Sequence, residues 1–155
     1  MGQTSQMIVR KILANEIDNT VTLCRYYADE AEIPEEDYDE NSVLETVRTY
    51  TIQHEYTWLN AFEGQRPVGL IAGCITKKPW NKDLVAHIDL VFLLESHRNL
   101  ANFKLLISAF EEWARTMQCK SITAGDIGIN IDRTKKLYEH FGFTEALWMN
   151  KEISQ

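Results

Sequence analysis

The chain has 155 residues, of which 45% are hydrophobic, and a formal net charge of −7 at pH 7. That apolar content supplies one core and argues against disorder, while the acidic balance argues against nucleic acid or an anionic membrane as partner, because little would neutralise phosphates. The three cysteines are widely spaced, with no Cys-x-x-Cys pair and no nearby histidine, so no metal site is expected and they read as buried free thiols of a reducing, cytoplasmic compartment.

In chain order, MGQTSQM lacks the charged start and apolar centre of a signal peptide. Gly2 is a weak myristoylation cue, because Gln6 stands where Ser or Thr is expected. Residues 7–13 read as a first strand. Asn15 is placed to cap a helix over 16–32, where Ile17, Val21, Cys24 and Ala28 recur at helical spacing. The stretch DEAEIPEEDYDE, residues 29–40, holds Pro34 and eight carboxylates and reads as a solvated loop. Asn41 is placed to cap a second helix with Val43, Leu44 and Val47 on its apolar face.

Strands follow over 55–62 and 68–76, joined by the turn EGQRP, and KKPWNKD forms another turn. Residues 84–94 are a nearly continuous apolar run broken only by His87 and Asp89, which suggests a strand covered on both faces. A helix is expected over 100–117 with Leu105, Leu106, Ala109, Trp113 and Met117 inward. A strand over 120–127, a helix over 132–141 with Gly142 as C-cap, and a strand over 143–153 complete the chain. No repeat or linker divides it, so residues 1–155 read as one α/β domain, in the order β-α-α-β-β-β-α-β-α-β, with a mixed sheet flanked by helices.

Two stretches carry a family resemblance. One is the apolar strand at 84–94 followed by ESHRNLANF, residues 95–103. The other is LYEHFGF, residues 137–143. Together with the element order they resemble the GCN5-related N-acetyltransferase (GNAT) family. In that family the loop reads Arg or Gln, two residues, Gly, one residue, then Gly or Ala. Here Arg98 matches, and Ala101 and Phe103 stand in the two small-residue positions. The resemblance implies acetyl-CoA as co-substrate and a primary amine as acceptor, with homodimers common.

The resemblance also assigns roles. The loop Leu94, Arg98, Asn99, Leu100, Ala101, Asn102 and Phe103 would hold the pyrophosphate through backbone amides at a helix start. The Leu93 amide would polarise the thioester carbonyl. Asn130, eight residues before Tyr138, stands near the asparagine that often precedes the last helix in the family. Tyr138 would protonate the leaving thiolate.

His87 and Asp89 are two apart on a strand, so they share a face, and burying both without purpose is costly. A histidine can accept the amine proton, and a carboxylate can orient it or hold a cationic acceptor. The family's histone-acetylating branch has a Glu base where His87 stands. In the arylalkylamine branch two histidines occupy the places of His87 and Asp89. His54, His97 and His140 lack partners at useful spacing and read as surface residues. Trp58 and Trp80 could line an acceptor pocket, although packing is the plainer reading.

The acidic loop at 29–40 is either solubilising or an attractor for a polyamine, a lysine side chain or a basic peptide. Phe103 either blocks the pyrophosphate groove or packs inward. Two other readings stay open. One is a catalytically weak or inactive GNAT-fold binding or structural protein, such as the acetyltransferase-like virion and host-interaction proteins of bacteriophages. The other is an acyl-CoA sensor.

Overall fold

The structure is a computed structural model that describes residues 6–125, 131–146 and 149–153. Asn130 lies outside the described residues. The elements are β1 (Met7–Lys11), α1 (Ile17–Glu30), α2 (Glu40–Ile52), β2 (Tyr56–Glu63), β3 (Arg66–Lys77), β4 (Leu84–Leu93), α3 (Leu100–Thr116), β5 (Ser121–Ala124) and α4 (Ile131–His140). The five strands form one mixed sheet in the order β1-β2-β3-β4-β5. The first four are antiparallel to their neighbours, and β5 runs parallel to β4 after the α3 crossover. Among the described residues no helix is long and apolar enough to cross a membrane.

Each face of the sheet carries its own core. One face packs Ile71, Ile88, Val91 and Leu93 against Phe103, Leu106 and Phe110 of α3 and Tyr138 of α4. The other packs Trp58, Leu70 and Phe92 against Val21, Leu23 and Cys24 of α1 and Val47 of α2. Continuous apolar runs in β2, β3 and β4 are what a sheet covered on both faces requires.

Several local expectations are corrected. Asn15 lies in a single 3-10 turn, and its neighbour Glu16 precedes α1, with its carboxylate accepting from the Leu13 amide and pairing with Arg10. The N-cap of α2 is Asp39, whose side chain accepts from the Asn41 amide; Asn41 itself lies inside the helix. On α3 the buried face is Phe103, Leu106, Ile107, Phe110, Trp113 and Ala114, while Leu105 is 40% exposed. The two phenylalanines decide that rotation. Phe110 fills the space over Gly73, where a Cβ would come within 2.7 Å of the ring. The described residues of 143–153 form no strand.

Gly142 does close α4. At φ +90° it lets the Phe143 amide reach the Tyr138 carbonyl, at 3.1 Å, while its own amide reaches that of Glu139, which is a Schellman cap. The cap fixes the end of the helix that carries Tyr138.

Candidate active site

β4 contains a bulge. Ala72 of β3 pairs with Leu90 and Gly73 pairs with Ile88, so Asp89 is the extra residue. The bulge reverses the alternation: Ile88 packs on the α3 face and Leu90 on the α1/α2 face. Gly73 permits the close approach there, since a Cβ would lie 2.1 Å from the His87 carbonyl oxygen.

At the bulge, His87 and Asp89 turn their side chains together, with His87 Nε2 3.7 Å from Asp89 Oδ1. The other ring nitrogen, Nδ1, is 2.7 Å from Thr123 Oγ1 on β5. When Nδ1–H donates to Thr123, the Nε2 lone pair is left to accept a proton. Tyr50 of α2 donates its hydroxyl to Asp89 Oδ2 at 2.8 Å. Burial first, and this hydrogen bond second, push the Tyr50 phenol up. The Cys74 thiol faces the same carboxylate; burial and then the Asp89 charge push it up to about 11.

Beyond the bulge, β4 has a free edge among the described residues, because β5 ends at Ala124 opposite Ile88. The Leu94 amide donates to Val68 of β3 at 2.9 Å. In an antiparallel ladder the bonded pairs alternate, so Phe92 and Leu90 also face β3, and the amides of Val91 and Leu93 point to the other side, where no strand pairs with them among the described residues.

The loop after β4 holds itself together without glycine. Its single 3-10 turn at 95–97 pairs the amides of His97 and Arg98 with the carbonyls of Leu94 and Glu95. Asn99 caps α3 by accepting from the Asn102 amide at 2.8 Å, and the Asn102 side chain donates to the His97 carbonyl. Three amides at the helix start, those of Asn99, Leu100 and Ala101, have no partner among the described residues. The loop therefore presents fewer open donors than the whole stretch after Leu94 would supply. Phe103 points inward. It is 8% exposed, stacks on Phe141 at 5.7 Å and meets Tyr138 edge-on at 6.0 Å, so its ring does not stand in the groove.

Arg98 is engaged within the protein. Its Nε donates to the Leu93 carbonyl at 2.8 Å, its guanidinium pairs with Glu30 at the end of α1, and it lies over the Phe92 ring. His97 also has a partner, contrary to its reading as a free surface residue: Nε2 is 2.5 Å from Glu63 of β2.

Tyr138 is 8% exposed, and its hydroxyl is buried without a hydrogen-bond partner. Burial pushes the phenol well above the ordinary tyrosine range. A buried orphan hydroxyl is costly unless something else meets it. With His87 and Gly125 it lines a large groove between α3, β5 and α4.

Asp89 lines a second cavity, of about 460 Å³, between α1, α2 and the sheet. Trp58 forms part of its wall, while Trp80 is 76% exposed and lies outside it. The indole is held by a buried chain that the sequence reading missed. Trp58 Nε1 donates to Asn60, and Asn60 donates to Thr20 of α1, both at 2.9 Å. Asn60 was visible as the one amide inside an apolar strand. Tyr50 left no such mark, because its partner is 39 residues away.

Three of the eight carboxylates at 29–40 are paired with arginines outside that stretch. Arg25 pairs with Asp29 and Glu35, Arg98 pairs with Glu30, and Asp39 is occupied by the amide of Asn41 and the hydroxyl of Ser42.

The model of the acetyltransferase (GNAT) family matches residues 20–143. The chain belongs to that family. As a GNAT acetyltransferase it has acetyl transfer as its general activity, with acetyl-CoA as the co-substrate that goes with it. No curated protein matches.

Solved structures share the fold of this GNAT chain at low identity. Aminoglycoside N-acetyltransferase AAC(6')-Iy, in complex with the bisubstrate analogue CoA-S-monomethyl-acetylneamine, is 17% identical with a TM-score of 0.81, covering 97% of this chain and 99% of that one. A ribosomal-protein-alanine N-acetyltransferase from Brucella melitensis biovar Abortus 2308 is 15% identical with a TM-score of 0.73, covering 97% and 99%. A transcriptional regulator from Bacillus halodurans C-125 is 18% identical with a TM-score of 0.75, covering 94% and 100%. One fold thus carries proteins of different names, and the acceptor has to be argued from the site.

Proposed function

We propose that the chain is an acetyl-CoA-dependent N-acetyltransferase whose acceptor is a primary amine, either a cationic small molecule or a lysine side chain. The observation that carries this reading is the free edge of β4 beside His87 and Asp89. Outward-facing amides there can meet a developing oxyanion, and such a donor is worth a few kcal/mol.

Strand spacing favours the Val91 amide over that of Leu93, which the family resemblance had suggested. Residues rise about 3.3 Å each, so Val91 lies roughly 7 Å from Asp89 along the strand and Leu93 roughly 13 Å. An amine held by Asp89 must come within about 3 Å of the acetyl carbon. The Val91 amide suits that span. Leu93 lies nearer the Arg98 loop, where its amide serves the pantetheine arm.

The steps follow from these positions. Asp89 receives the ammonium group. His87 Nε2 takes its proton, with Nδ1 held by Thr123, and the free amine attacks the thioester carbonyl. The Val91 amide stabilises the oxyanion as the carbon–nitrogen bond forms. The carbon–sulfur bond then breaks as Tyr138 donates its proton to the leaving thiolate, and the extra proton on the new amide nitrogen is lost through solvent, which in turn restores the Tyr138 phenol. The high pKa of the Tyr138 phenol keeps it protonated for that duty, and its orphan hydroxyl gains a partner when the sulfur arrives. The open amides of Asn99, Leu100 and Ala101 hold the pyrophosphate.

A second reading, a GNAT-fold binder without turnover, is favoured by the self-capped loop, in which Asn99 already occupies the Asn102 amide. One pair of measurements separates the two. Acetyl-CoA should raise the melting temperature of the full chain, and thiol release should follow on adding a panel of primary amines. A shift without release would leave the binder; no shift would remove both.

A further inference from the structure

We propose that Ser96, His97 and Glu63 form a second reactive site, an activated serine that accepts the acyl group of reactive carboxylic esters. The site is separate from the one at the β4 bulge and needs no acetyl-CoA. Its three residues meet where the loop after β4 passes the end of β2. His97 Nε2 is 2.5 Å from Glu63 Oε2, and His97 Nδ1 is 2.7 Å from Ser96 Oγ.

The proton positions follow from the partners. An ionised carboxylate only accepts, so Nε2 carries a hydrogen and donates it to Glu63. In the neutral ring Nδ1 is then an acceptor, and the Ser96 hydroxyl donates to it. Nucleophile, base and orienting carboxylate therefore stand in series, which is the arrangement that activates a serine. The base is held firmly. The His97 side chain is 14% exposed, its amide donates to the Leu94 carbonyl, and its own carbonyl accepts from the Asn102 side chain. Ser96 itself is exposed, so an ester can reach its oxygen. The Ser96 amide, next to that oxygen, has no partner among the described residues and is left to donate to an oxyanion.

In the reaction, Ser96 Oγ attacks the ester carbonyl carbon and its proton passes to His97 Nδ1, while Glu63 stabilises the imidazolium. The carbon–oxygen bond to the leaving alcohol breaks, and the alcohol oxygen takes that proton. Water then attacks the acyl-serine with His97 as base, which releases the acid and returns the proton to Ser96.

The test uses the full chain without acetyl-CoA. With p-nitrophenyl acetate it should release nitrophenol and carry an acetyl group on the peptide that contains Ser96, and phenylmethylsulfonyl fluoride should label the same peptide. Ser96→Ala should lose both labels yet keep the rise in melting temperature with acetyl-CoA, which separates this site from the acetyltransferase reading. His97→Gln should slow Ser96 labelling about 100-fold, and Glu63→Gln about tenfold or more. Ser42 is the internal control, an exposed serine that donates to the Asp39 carboxylate with no base beside it. In wild type Ser96 should be labelled at least about tenfold faster than Ser42. That ratio decides the matter if either variant of the pair melts lower. Labelling of Ser96 no faster than Ser42 overturns the proposal, as does Glu63→Gln that melts and labels like wild type.

Discussion

The two ends of the site on β4 are built from different materials. Around the bulge, the proposed chemistry rests on side chains: His87, Asp89 and the Tyr50 that reaches Asp89 from α2. Past Leu93, recognition is left to the backbone, and the loop side chains of Asn99 and Asn102 are spent on one another and on the chain around them. The difference teaches that substitutions should act sharply at the first end and weakly at the second. Under the proposed mechanism the loop tolerates Ala101 and Phe103 in place of the family's small residues, because only its amides would face the ligand, whereas the carboxylate and the imidazole at the bulge would have no substitute.

The largest expected effect is at the bulge. His87→Ala should lower kcat about 100-fold or more with little change in KM for acetyl-CoA. A comparable rise in that KM instead would move His87 out of the proton path. Tyr138→Phe should lower kcat by about tenfold or more, as the aryl proton donor is lost, while the melting temperature holds or rises, because the hydroxyl removed has no partner in the fold. A large drop in melting temperature would make Tyr138 a structural residue.

The loop end should answer differently. Phe103→Ala should cost about 3–5 kcal/mol in urea unfolding, because its ring packs on Phe141 and Tyr138, whereas Ala101→Gly, at an exposed helix start, should cost about 1 kcal/mol or less. Equal costs would mean that Phe103 is not in the core. Arg98→Ala should raise KM for acetyl-CoA less than about tenfold, because the side chain serves Leu93 and Glu30 before any phosphate.

The smallest effect is on alkaline stability. Burial raises the Cys24 thiol from an ordinary value of 9.0 to about 12. Below pH 9 it is protonated in both states and contributes nothing that changes. Between those values the unfolded chain releases the proton while the folded chain keeps it, so stability falls as pH rises. Cys24→Ala should flatten that slope in melting curves recorded from pH 8.5 to 10.5; an unchanged slope would place the alkaline loss elsewhere.

Much of the architecture was legible because it depends on periodicity and punctuation. The apolar run at 84–94, the helical spacing from 100 onward and Gly142 each obey a local rule, and they led to the right order of elements as far as α4 and to the family. Where two local candidates competed, neighbours decided. Asp39 capped α2 in place of Asn41, and α3 turned Phe103 and Phe110 inward where the spacing had suggested Leu105. Within the site, His87 and Asp89 stood out as polar breaks in an apolar strand. Tyr50 and the Trp58–Asn60–Thr20 chain did not form a motif, because their partners are far apart in sequence.

Sequence by itself determined the strand and helix order as far as the last helix, the family, and which polar residues interrupt the fourth strand. The tertiary structure decided that Asp89 is the extra residue of a bulge beside Gly73, that the Val91 and Leu93 amides point away from β3, and that Arg25 and Arg98 pair with three carboxylates of the acidic stretch. The physical reason is range. Hydrophobic period and turn chemistry act between near neighbours along the chain, whereas register, a bulge and an ion pair exist only once distant segments meet.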